Sequence, residues 1–234
     1  MAASRLKGKP LLEINNIPII CHVLNKAMET GLEAIVATED KEIVTAVEQN
    51  GGGKVILTGN HKTGTDRIFE AFKKLKIENV DYILNLQGDE PMIDPKDIIN
   101  LNKLMIKNNS DIGTLASEIK KDTMLTNENI VKVITEKKLE NNNFVKALNF
   151  LRKGLKKENS NTYHHIGVYC YKVTVLEKFI NLNQTKNEIK NRLEQLRALD
   201  NNIKINVALA ESSPIGVDTK EDYLALKKIM EYKS

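Results

Sequence analysis

The sequence predicts an α/β fold built around a parallel sheet, and two observations support this prediction. Its 234 residues are 41% hydrophobic and 28% charged, which suits one domain or two small ones with a substantial core. In the first half, short β-branched runs alternate with segments whose apolar residues recur at helical spacing. Because this alternation is typical of βαβ units, the strands are expected to pair mainly in parallel.

The individual elements follow from this alternation in chain order. The strands of the first half would be buried on both faces: Ala34–Thr38, Lys54–Leu57, Asp81–Gln87 and Asp111–Ala116. The helices would flank them: Pro18–Thr30, Lys41–Gln49, Thr65–Lys74 and Lys96–Asn108. In the second half the predicted strands have less regular helices between them: Ile130–Thr135, Phe144–Phe150, His165–Tyr171 and Lys204–Ala210. Thr219–Tyr232 is predicted to form the last, amphipathic helix. This change along the chain indicates one domain over residues 1–234, with an inserted subdomain at approximately 130–200.

Composition narrows the classes of function. The net charge of +4 suits anionic small molecules, and the absence of tryptophan and of an aromatic-rich basic stripe argues against a nucleic-acid partner. Cys21 and Cys170 do not have a metal-binding spacing, so a reducing compartment is expected. Since the sequence has neither an apolar run of membrane length nor a signal-peptide pattern, we expect a cytoplasmic protein without a membrane partner.

The segment Leu84–Pro91, with the sequence LNLQGDEP, places an acidic pair directly after an apolar strand. Ligands of open parallel sheets bind beyond the carboxyl ends of the strands, so Asp89 is expected at that edge. A carboxylate there suits Mg²⁺, which takes one or two protein carboxylates together with phosphate oxygens of the substrate. The alternative is a turn aspartate that accepts hydrogen bonds from nearby N–H groups.

The segment Ile215–Asp218 offers a second carboxylate far away along the chain. Thr219 can cap the last helix with Asp222 as the capping-box acid, which explains both of these residues. It does not explain Asp218, which precedes the cap. Asp89 and Asp218 could therefore jointly hold a metal ion between two phosphates.

The loop HKTGTDR, from His61 to Arg67, leads into a predicted helix. Thr63, Gly64 and Thr65 would supply hydroxyl and backbone N–H groups at the helix N-terminus, which favours polar or anionic partners. Arg67 could direct its planar donor fork at a base carbonyl or a phosphate. The alternative is an ordinary capped helix start.

The opening loop combines Arg5, Lys7 and Lys9 with the small residue Gly8 just before an apolar run. Clustered cations and a glycine suit phosphate contacts, although the spacing does not match a Walker A loop. A disordered cationic tail is the alternative for these early basic residues.

Together these segments resemble the 3-deoxy-manno-octulosonate (Kdo) cytidylyltransferases, also called CMP-Kdo synthetases. The resemblance covers nearly the whole chain in the order of the family's segments: SRLKGKPL (Ser4–Leu11), VATED (Val36–Asp40), HKTGTDR, NLQGDEP, NIVKV (Asn129–Val133), HIGVYCY (His165–Tyr171), LEQLR (Leu193–Arg197) and VDTKED (Val217–Asp222). It implies a Rossmann-like nucleotidyltransferase with a mainly parallel central sheet and a small inserted α+β subdomain for sugar binding and dimerisation. It also implies a homodimer that converts CTP and Kdo into CMP-Kdo and pyrophosphate for lipopolysaccharide biosynthesis.

The resemblance also implies roles for individual residues. In family terms, Asp89 and Asp218 would hold Mg²⁺, and Arg5 and Lys9 would meet the phosphates. Gly8 lies in the phosphate loop. The segments expected to recognise cytosine and ribose contain the other nucleotide-site candidates: Thr63, Gly64, Arg67 and Gln87.

The family pattern assigns a further group to the sugar acid: Arg152, His165, Tyr169, Glu194 and Gln195. A sugar acid needs a cation for its carboxylate and several neutral donors for its hydroxyls, and this group offers both. The alternative for His165 is a core histidine with satisfied hydrogen bonds, and Tyr169 could be a structural residue of its strand. His164 would face the opposite side of the strand from His165, which argues against a metal site formed by the two histidines.

The chain departs from the family pattern in three places. Family members have a first strand ending in Pro-Ala-Arg before the basic loop, so we expect the natural protein to begin further upstream. Lys7 replaces a proline, and Leu151 precedes Arg152 where a serine or threonine is usual. Three alternatives therefore stay open: activation of 8-amino-Kdo, activation of a neuraminate-type sugar, and an impaired protein that only binds the nucleotide. HIGVYCY and LEQLR favour Kdo over the neuraminate type.

Overall fold

The computed structural model describes residue 6 and residues 8–120, 122–153, 161–214, 216–217 and 219–232. The chain forms two compact units. The first unit comprises Met1–Ile77, Leu86–Lys96 and Pro214–Ser234, and the second comprises Glu78–Asn85 and Asp97–Ser213. The predicted subdomain at 130–200 falls wholly within the second unit, and its status as an insertion stays a prediction.

The described elements are numbered in chain order. The strands are β1 (Glu13–Ile14), β2 (Ile17–Pro18), β3 (Ile35–Thr38), β4 (Lys54–Leu57), β5 (Tyr82–Asn85), β6 (Ile112–Ser117), β7 (Lys132–Thr135), β8 (Val145–Leu151), β9 (Thr162–Lys172) and β10 (Ile205–Leu209). The α-helices are α1 (Ile19–Met28), α2 (Lys41–Gln49), α3 (Gly64–Leu75), α4 (Pro95–Asn108), α5 (Asp122–Thr126), α6 (Val173–Ile180), α7 (Lys186–Asn191), α8 (Leu196–Asp200) and α9 (Lys220–Glu231). A short 3-10 helix at Lys9–Leu11 precedes β1. In the described part of the chain, no helix has the length and apolar character needed to cross a membrane.

The first unit contains a small hairpin and a parallel strand pair. β1 and β2 pair antiparallel through a two-residue turn in which Asn15 and Asn16 have φ values of 52° and 60°. Left-handed conformations at both positions are the geometry of a tight hairpin turn, and asparagine tolerates them well. β3 pairs in parallel with β4 across α2, which is the βαβ arrangement that the sequence predicts. Asp40 caps α2 by accepting a 2.8 Å hydrogen bond from the Glu42 N–H.

The second unit contains a mixed six-stranded sheet in the order β5-β9-β6-β10-β8-β7. Among the described strands of this sheet only β6 and β10 pair in parallel, and β9 is antiparallel to each of its partners, β5, β6 and β7. The first residues of β9 also pair with β7, so the strands β9, β6, β10, β8 and β7 form a closed circuit of hydrogen-bonded neighbours.

The prediction of a mainly parallel sheet is therefore wrong for the described strands, and β9 gives the physical reason. β5 and β6 run in the same direction, as the βαβ rhythm predicts, because both are antiparallel to β9. They do not pair with each other, since β9 lies between them with buried side chains on most of its 11 residues. The predicted longer helices and strands are confirmed to within a few residues, whereas the sequence did not predict the short elements β1, β2 and α5 to α8 individually.

Candidate functional site

The phosphate-loop candidates of the first unit lie at the start of the short 3-10 helix. Gly8 precedes this helix with φ 68°, a left-handed conformation that glycine adopts without steric cost. Lys9 then directs its Nζ to Asp89 Oδ2 at 3.0 Å, and the two side chains are 21% and 28% exposed. The structure thus brings together the predicted phosphate residue Lys9 and the predicted metal ligand Asp89 from distant segments, in a place that solvent reaches.

The backbone around Asp89 also contacts the segment that precedes Asp218. The N–H of Val217 donates a 3.0 Å hydrogen bond to the carbonyl of Asp89. A Cβ placed on Gly216 would lie 3.7 Å from Cγ of Glu90, so these two residues are also neighbours. Asp218 itself, like Arg5, lies outside the described residues.

The helix that follows Asp218 confirms the capping interpretation. The Thr219 hydroxyl accepts a 3.1 Å hydrogen bond from the Asp222 N–H, and the Asp222 carboxylate accepts a 2.8 Å bond from the Thr219 N–H. This reciprocal arrangement accounts for both residues as a helix cap.

The predicted base-recognition loop begins helix α3. Thr63 is its N-cap, and the Thr63 hydroxyl accepts from the Asp66 N–H at 3.1 Å and donates to the Asp66 carboxylate at 3.0 Å. Gly64 is the first helical residue. The ordinary capped helix start is therefore present, and the N-terminal N–H groups of the same helix remain a favourable environment for a polar or anionic ligand.

Arg67 is held by two residues to which the sequence assigned no role. Its Nη1 donates to the Thr58 hydroxyl at 3.0 Å, and its Nη2 lies 3.2 Å from Glu39 Oε1. Thr58 follows β4 and Glu39 follows β3, so position at a strand's carboxyl end is the signal that could have identified them. Gln87 lies in the same unit, and its carbonyl accepts a 3.3 Å hydrogen bond from the Glu90 N–H.

Glu70 ties the loop before Thr63 to helix α3. Its carboxylate accepts from the Gly59 N–H at 3.1 and 3.0 Å, pairs with Lys74 at 2.5 Å and contacts the His61 ring. Hydrogen bonds from Lys74 first, then from His61 and Gly59, lower the pKa of Glu70 to about 2. The i, i+4 spacing of Glu70 and Lys74 was the only sequence signal for this anchor.

The sugar-site candidates lie in the second unit, and Arg152 follows directly after β8. Its Nη1 donates to the carbonyls of Glu128 and Asn129 at 3.3 and 3.2 Å. Contacts with backbone carbonyls fix the direction of the guanidinium, which is a group well suited to bind an anionic ligand.

His165 is buried in β9, and its environment keeps it neutral. Its Nε2 is 3.0 Å from the Thr114 hydroxyl, and its ring makes an edge contact with Phe150 at 5.1 Å. Burial, followed by repulsion from His164 and Arg152, lowers the pKa of His165 to about 3. Because the Thr114 hydroxyl is closest to the Val168 carbonyl, at 2.7 Å, we assign its proton there; Nε2 then carries the ring proton and Nδ1 is the acceptor.

His164 has different partners, as the alternation of the strand predicts. Its Nδ1 is 3.2 Å from the Ser213 hydroxyl and 3.5 Å from that of Ser117. Burial lowers the pKa of His164 as well, with a smaller contribution from Lys132.

Tyr169 lies next to His165, with ring centroids 5.4 Å apart. Its hydroxyl oxygen is buried and has no hydrogen-bond partner among the described residues. Burial, followed by the nearby Tyr171 and Glu194, raises the pKa of Tyr169 well above its usual value. A buried hydroxyl without a partner is rare in folded proteins, so this oxygen is a natural place for a bound ligand to make a hydrogen bond.

Glu194 and Gln195 lie at the start of α8. Glu194 Oε1 is 3.7 Å from Arg197 Nη2, an ion pair slightly longer than a hydrogen bond. Gln195 occupies the N-cap position without a side-chain capping bond. Arg197 in turn forms a buried two-pronged ion pair with Glu188, with distances of 2.9 and 2.6 Å. Arg197 belongs to the LEQLR segment, which gave it no individual role, and the sequence did not identify Glu188.

The structure therefore connects most of the sugar-site candidates. The rings of His165 and Tyr169 lie 5.4 Å apart, Arg152 contributes to the lowered pKa of His165, and Glu194 contributes to the raised pKa of Tyr169. Gln195 is adjacent to Glu194 in sequence. This arrangement combines a cation, a neutral imidazole and a phenol, which are the groups that an acidic, hydroxyl-rich molecule needs.

The residues around Asp89 fit a hydrated magnesium ion. Asp89 already has a cation, the Lys9 ammonium, on its carboxylate at 3.0 Å. The part of the chain that the structure describes contains no cluster of three or more His, Cys, Asp or Glu side chains suited to a metal. Magnesium commonly takes only one or two protein carboxylates and completes its shell with water and phosphate oxygens, so the predicted role of Asp89 does not require a larger cluster.

The fold is that of nucleotidyltransferases. It matches a solved structure of CMP:2-keto-3-deoxy-manno-octonic acid synthetase complexed with CTP, with a TM-score of 0.87 and 33% identity over 99% of this chain and 95% of that chain. A solved structure of UDP-glucose pyrophosphorylase matches with a TM-score of 0.72, covering 100% of this chain and 96% of the other. Its sequence identity of 14% supports a shared fold alone.

Sequence comparison narrows this class. A sequence model of the cytidylyltransferase family matches residues 1–205. The 3-deoxy-manno-octulosonate cytidylyltransferase of Afipia carboxidovorans is 40% identical over 98% of this chain and 93% of that protein. The proteins of the same name from Agrobacterium fabrum and Rhodopseudomonas palustris are 40% and 41% identical over 98% and 95% of this chain, and over 92% and 91% of their own lengths. The chain belongs to the 3-deoxy-manno-octulosonate cytidylyltransferase family.

Proposed function

We propose that this protein transfers CMP from CTP to Kdo, giving CMP-Kdo and pyrophosphate for lipopolysaccharide biosynthesis. The observation that carries the proposal is the convergence of Lys9 and the Val217 backbone on Asp89. It brings a cation, a carboxylate and the segment before Asp218 to one place, as a triphosphate site requires. The proposal includes Mg²⁺ dependence and a homodimer, which the family resemblance implies, and a cytoplasmic location, which is the expectation from the sequence pattern.

Nucleotidyl transfer needs positioning and charge neutralisation more than covalent chemistry from the protein. The anomeric hydroxyl of Kdo attacks the α-phosphorus of CTP in line, and the bond to pyrophosphate breaks. Lys9 would exchange its contact with Asp89 for a phosphate oxygen when the triphosphate binds. Asp89 and Asp218 would hold Mg²⁺, which when bound neutralises charge on the triphosphate and orients it.

The remaining nucleotide-site candidates would orient the base and ribose. Thr63 and Gly64 offer the N-terminus of α3, and Arg67 offers a guanidinium that Thr58 and Glu39 already hold in place. Selection for cytosine would rest on hydrogen bonds, because the wrong base would leave buried groups unpaired.

The sugar-site candidates would bind the acceptor. Arg152 would attract the carboxylate, and the buried Tyr169 hydroxyl would gain a sugar oxygen as its partner. His165 would accept from a sugar hydroxyl through Nδ1, because its depressed pKa keeps the ring neutral at physiological pH.

Pyrophosphate release tests the proposal. The purified protein would receive CTP and Mg²⁺ with Kdo, 8-amino-Kdo or a neuraminate-type sugar, and a fourth reaction would omit the sugar. We expect release with Kdo at the highest kcat/KM and none without sugar. The highest activity with 8-amino-Kdo would indicate that Leu151, which stands where a serine or threonine is usual, changes the sugar specificity. CTP binding without release for any of these sugars would favour the alternative of a nucleotide-binding protein.

A further inference from the structure

Lys132 is a buried lysine whose ammonium group makes its hydrogen bonds to backbone carbonyls, while the Glu128 carboxylate acts on it only electrostatically. It lies in β7 with 0% exposure. Its Nζ donates to the backbone carbonyls of Asn127 and Arg152 at 2.6 and 3.0 Å, and these are its hydrogen-bond partners within the described chain. Burying an ammonium group costs free energy unless its partners compensate, so packing alone does not account for a lysine at this position.

The two carbonyl groups that accept hydrogen bonds from Lys132 belong to Arg152 itself and to the turn that holds the Arg152 side chain. The turn at residues 127–129 gives the Asn127 carbonyl to Lys132 and the next two carbonyls to the guanidinium of Arg152. Lys132 also bonds the carbonyl of Arg152 itself. A single buried ammonium therefore links the backbone of Arg152 to the turn that holds its side chain.

The strand register places Lys132 next to the other sugar-site candidates. Lys132 is opposite Leu151, the residue before Arg152, in the β7–β8 ladder. It is also opposite His164, the residue before His165, in the β7–β9 ladder. Lys132 therefore pairs both with β8, which Arg152 follows directly, and with β9, which contains His165.

We propose that Lys132 is a positioning residue for the sugar acid, which acts by fixing the direction of the Arg152 guanidinium. This inference rests on the proposed function, because it assumes that Arg152 binds the sugar carboxylate. A guanidinium recognises a carboxylate best when two of its N–H groups point at the two oxygens, and a small change in direction weakens this contact. Lys132 itself would not contact the reacting atoms.

The first test is Lys132→Met, which keeps the length of the side chain and removes its donors. We expect the KM for Kdo to rise at least about tenfold while the KM for CTP stays within about twofold. The control is Lys146→Met on β8, where the lysine is exposed, and both KM values should stay unchanged. An unchanged KM for Kdo in Lys132→Met, or an equal rise in both KM values, would overturn the proposal.

The second test separates positioning from a general structural effect. In the Arg152→Gln background, Lys132→Met should raise the KM for Kdo no further, because the residue through which it acts is gone. Full additivity would contradict the proposal. Should Lys132→Met fail to fold by circular dichroism, Lys132→Gln, which keeps one amide donor group, takes its place in both comparisons. If the wild-type protein turns over none of the three sugars, both the proposed function and the role of Lys132 are contradicted. If the wild-type protein is active and the effects of the two substitutions are additive, only the role of Lys132 is contradicted.

Discussion

The charged candidate pairs of the first unit and the two aromatic candidates of the second, His165 and Tyr169, are held in opposite ways. In the first unit, Lys9 pairs with Asp89 and Arg67 pairs with Glu39, at distances of 3.0 and 3.2 Å on partly exposed side chains. In the second unit, His165 and the Tyr169 hydroxyl are buried and uncharged. Charged pairs that solvent reaches can exchange partners when a charged ligand arrives. Buried neutral groups keep a fixed geometry, which suits recognition of hydroxyls.

The largest expected effect comes from the substitution that breaks the ion pair between Lys9 and Asp89. Asp89→Asn keeps the shape of the side chain and removes its charge, so we expect kcat to fall on the order of a thousandfold. The midpoint of thermal unfolding should change little, since the residue is partly exposed. Asp94→Asn is the control, because Asp94 lies in the same segment and its carboxylate accepts a hydrogen bond from the Lys96 N–H. Near-normal turnover of Asp89→Asn would place the chemistry elsewhere.

The same type of substitution should have a different effect inside the second unit. Glu188→Gln removes the charge that forms the two short hydrogen bonds to Arg197, at a site where both side chains are only 5% exposed, and leaves Arg197 with the longer Glu194 contact. We expect a loss of about 3 kcal/mol in the free energy of unfolding, measured by denaturant titration. The matched control in the first unit is Glu29→Gln, which breaks the exposed Lys26–Glu29 pair and should cost less than about 1 kcal/mol. Equal losses for the two variants would remove the contrast between the units.

The units should also differ in the pH range in which they lose stability. The pKa of His165 is about 3 against a usual 6.5, so the unfolded chain takes up a proton below about pH 6.5 that the folded chain does not. Stability from this residue is fully present above that pH and decreases as the pH falls, by up to about 1.4 kcal/mol per pH unit. The His165→Gln variant should show a shallower decrease between pH 6.5 and 5.

Glu70 provides the comparison in the first unit. Its pKa is about 2 against a usual 4.5, so its contribution is present above about pH 4.5 and is lost as the pH falls toward 2. Glu70→Gln should therefore change the dependence of stability on pH mainly between about pH 4.5 and 2, outside the range in which His165 acts. Denaturant titrations at several pH values would measure both slopes, and an unchanged slope in His165→Gln would contradict the assignment of His165 as a buried neutral residue.

The smallest expected effect concerns Arg67. Lysine in its place keeps the charge but cannot reach Thr58 and Glu39 at once with a planar fork. We expect the KM for CTP to rise about tenfold, equivalent to about 1.4 kcal/mol, with the KM for Kdo unchanged. Steady-state kinetics with each substrate varied in turn would show this, and a rise for Kdo alone would argue against a nucleotide role.

Local sequence patterns predicted the helices and strands of this fold better than they predicted which strands pair with each other. Helical spacing located α1 to α4 and α9, and the capping box at Thr219 and Asp222 was visible in the sequence. The insertion of β9 between β5 and β6 depends on pairing between segments far apart along the chain, such as Tyr82 with Lys172, and no local pattern encodes that choice.

The same limit applies to the candidate site. Motifs identified Lys9 and Asp89, which the structure joins across 80 positions. They gave no individual role to Glu39 and Lys132, which lie in the VATED and NIVKV segments, and they did not include Glu188, because the sequence alone does not show whether a charged residue is buried or what it contacts. These residues hold other site residues in place, and only the three-dimensional contacts reveal that role.

Direct observation of the product tests the central claim. Phosphorus NMR would follow CTP, Mg²⁺ and Kdo with the wild-type protein, with a parallel reaction that omits Kdo. We expect the triphosphate signals to be replaced by equal amounts of a sugar–CMP phosphodiester and pyrophosphate, and only when Kdo is present. Intact CTP, or sugar-independent conversion of CTP into CMP and pyrophosphate, would contradict the proposed reaction.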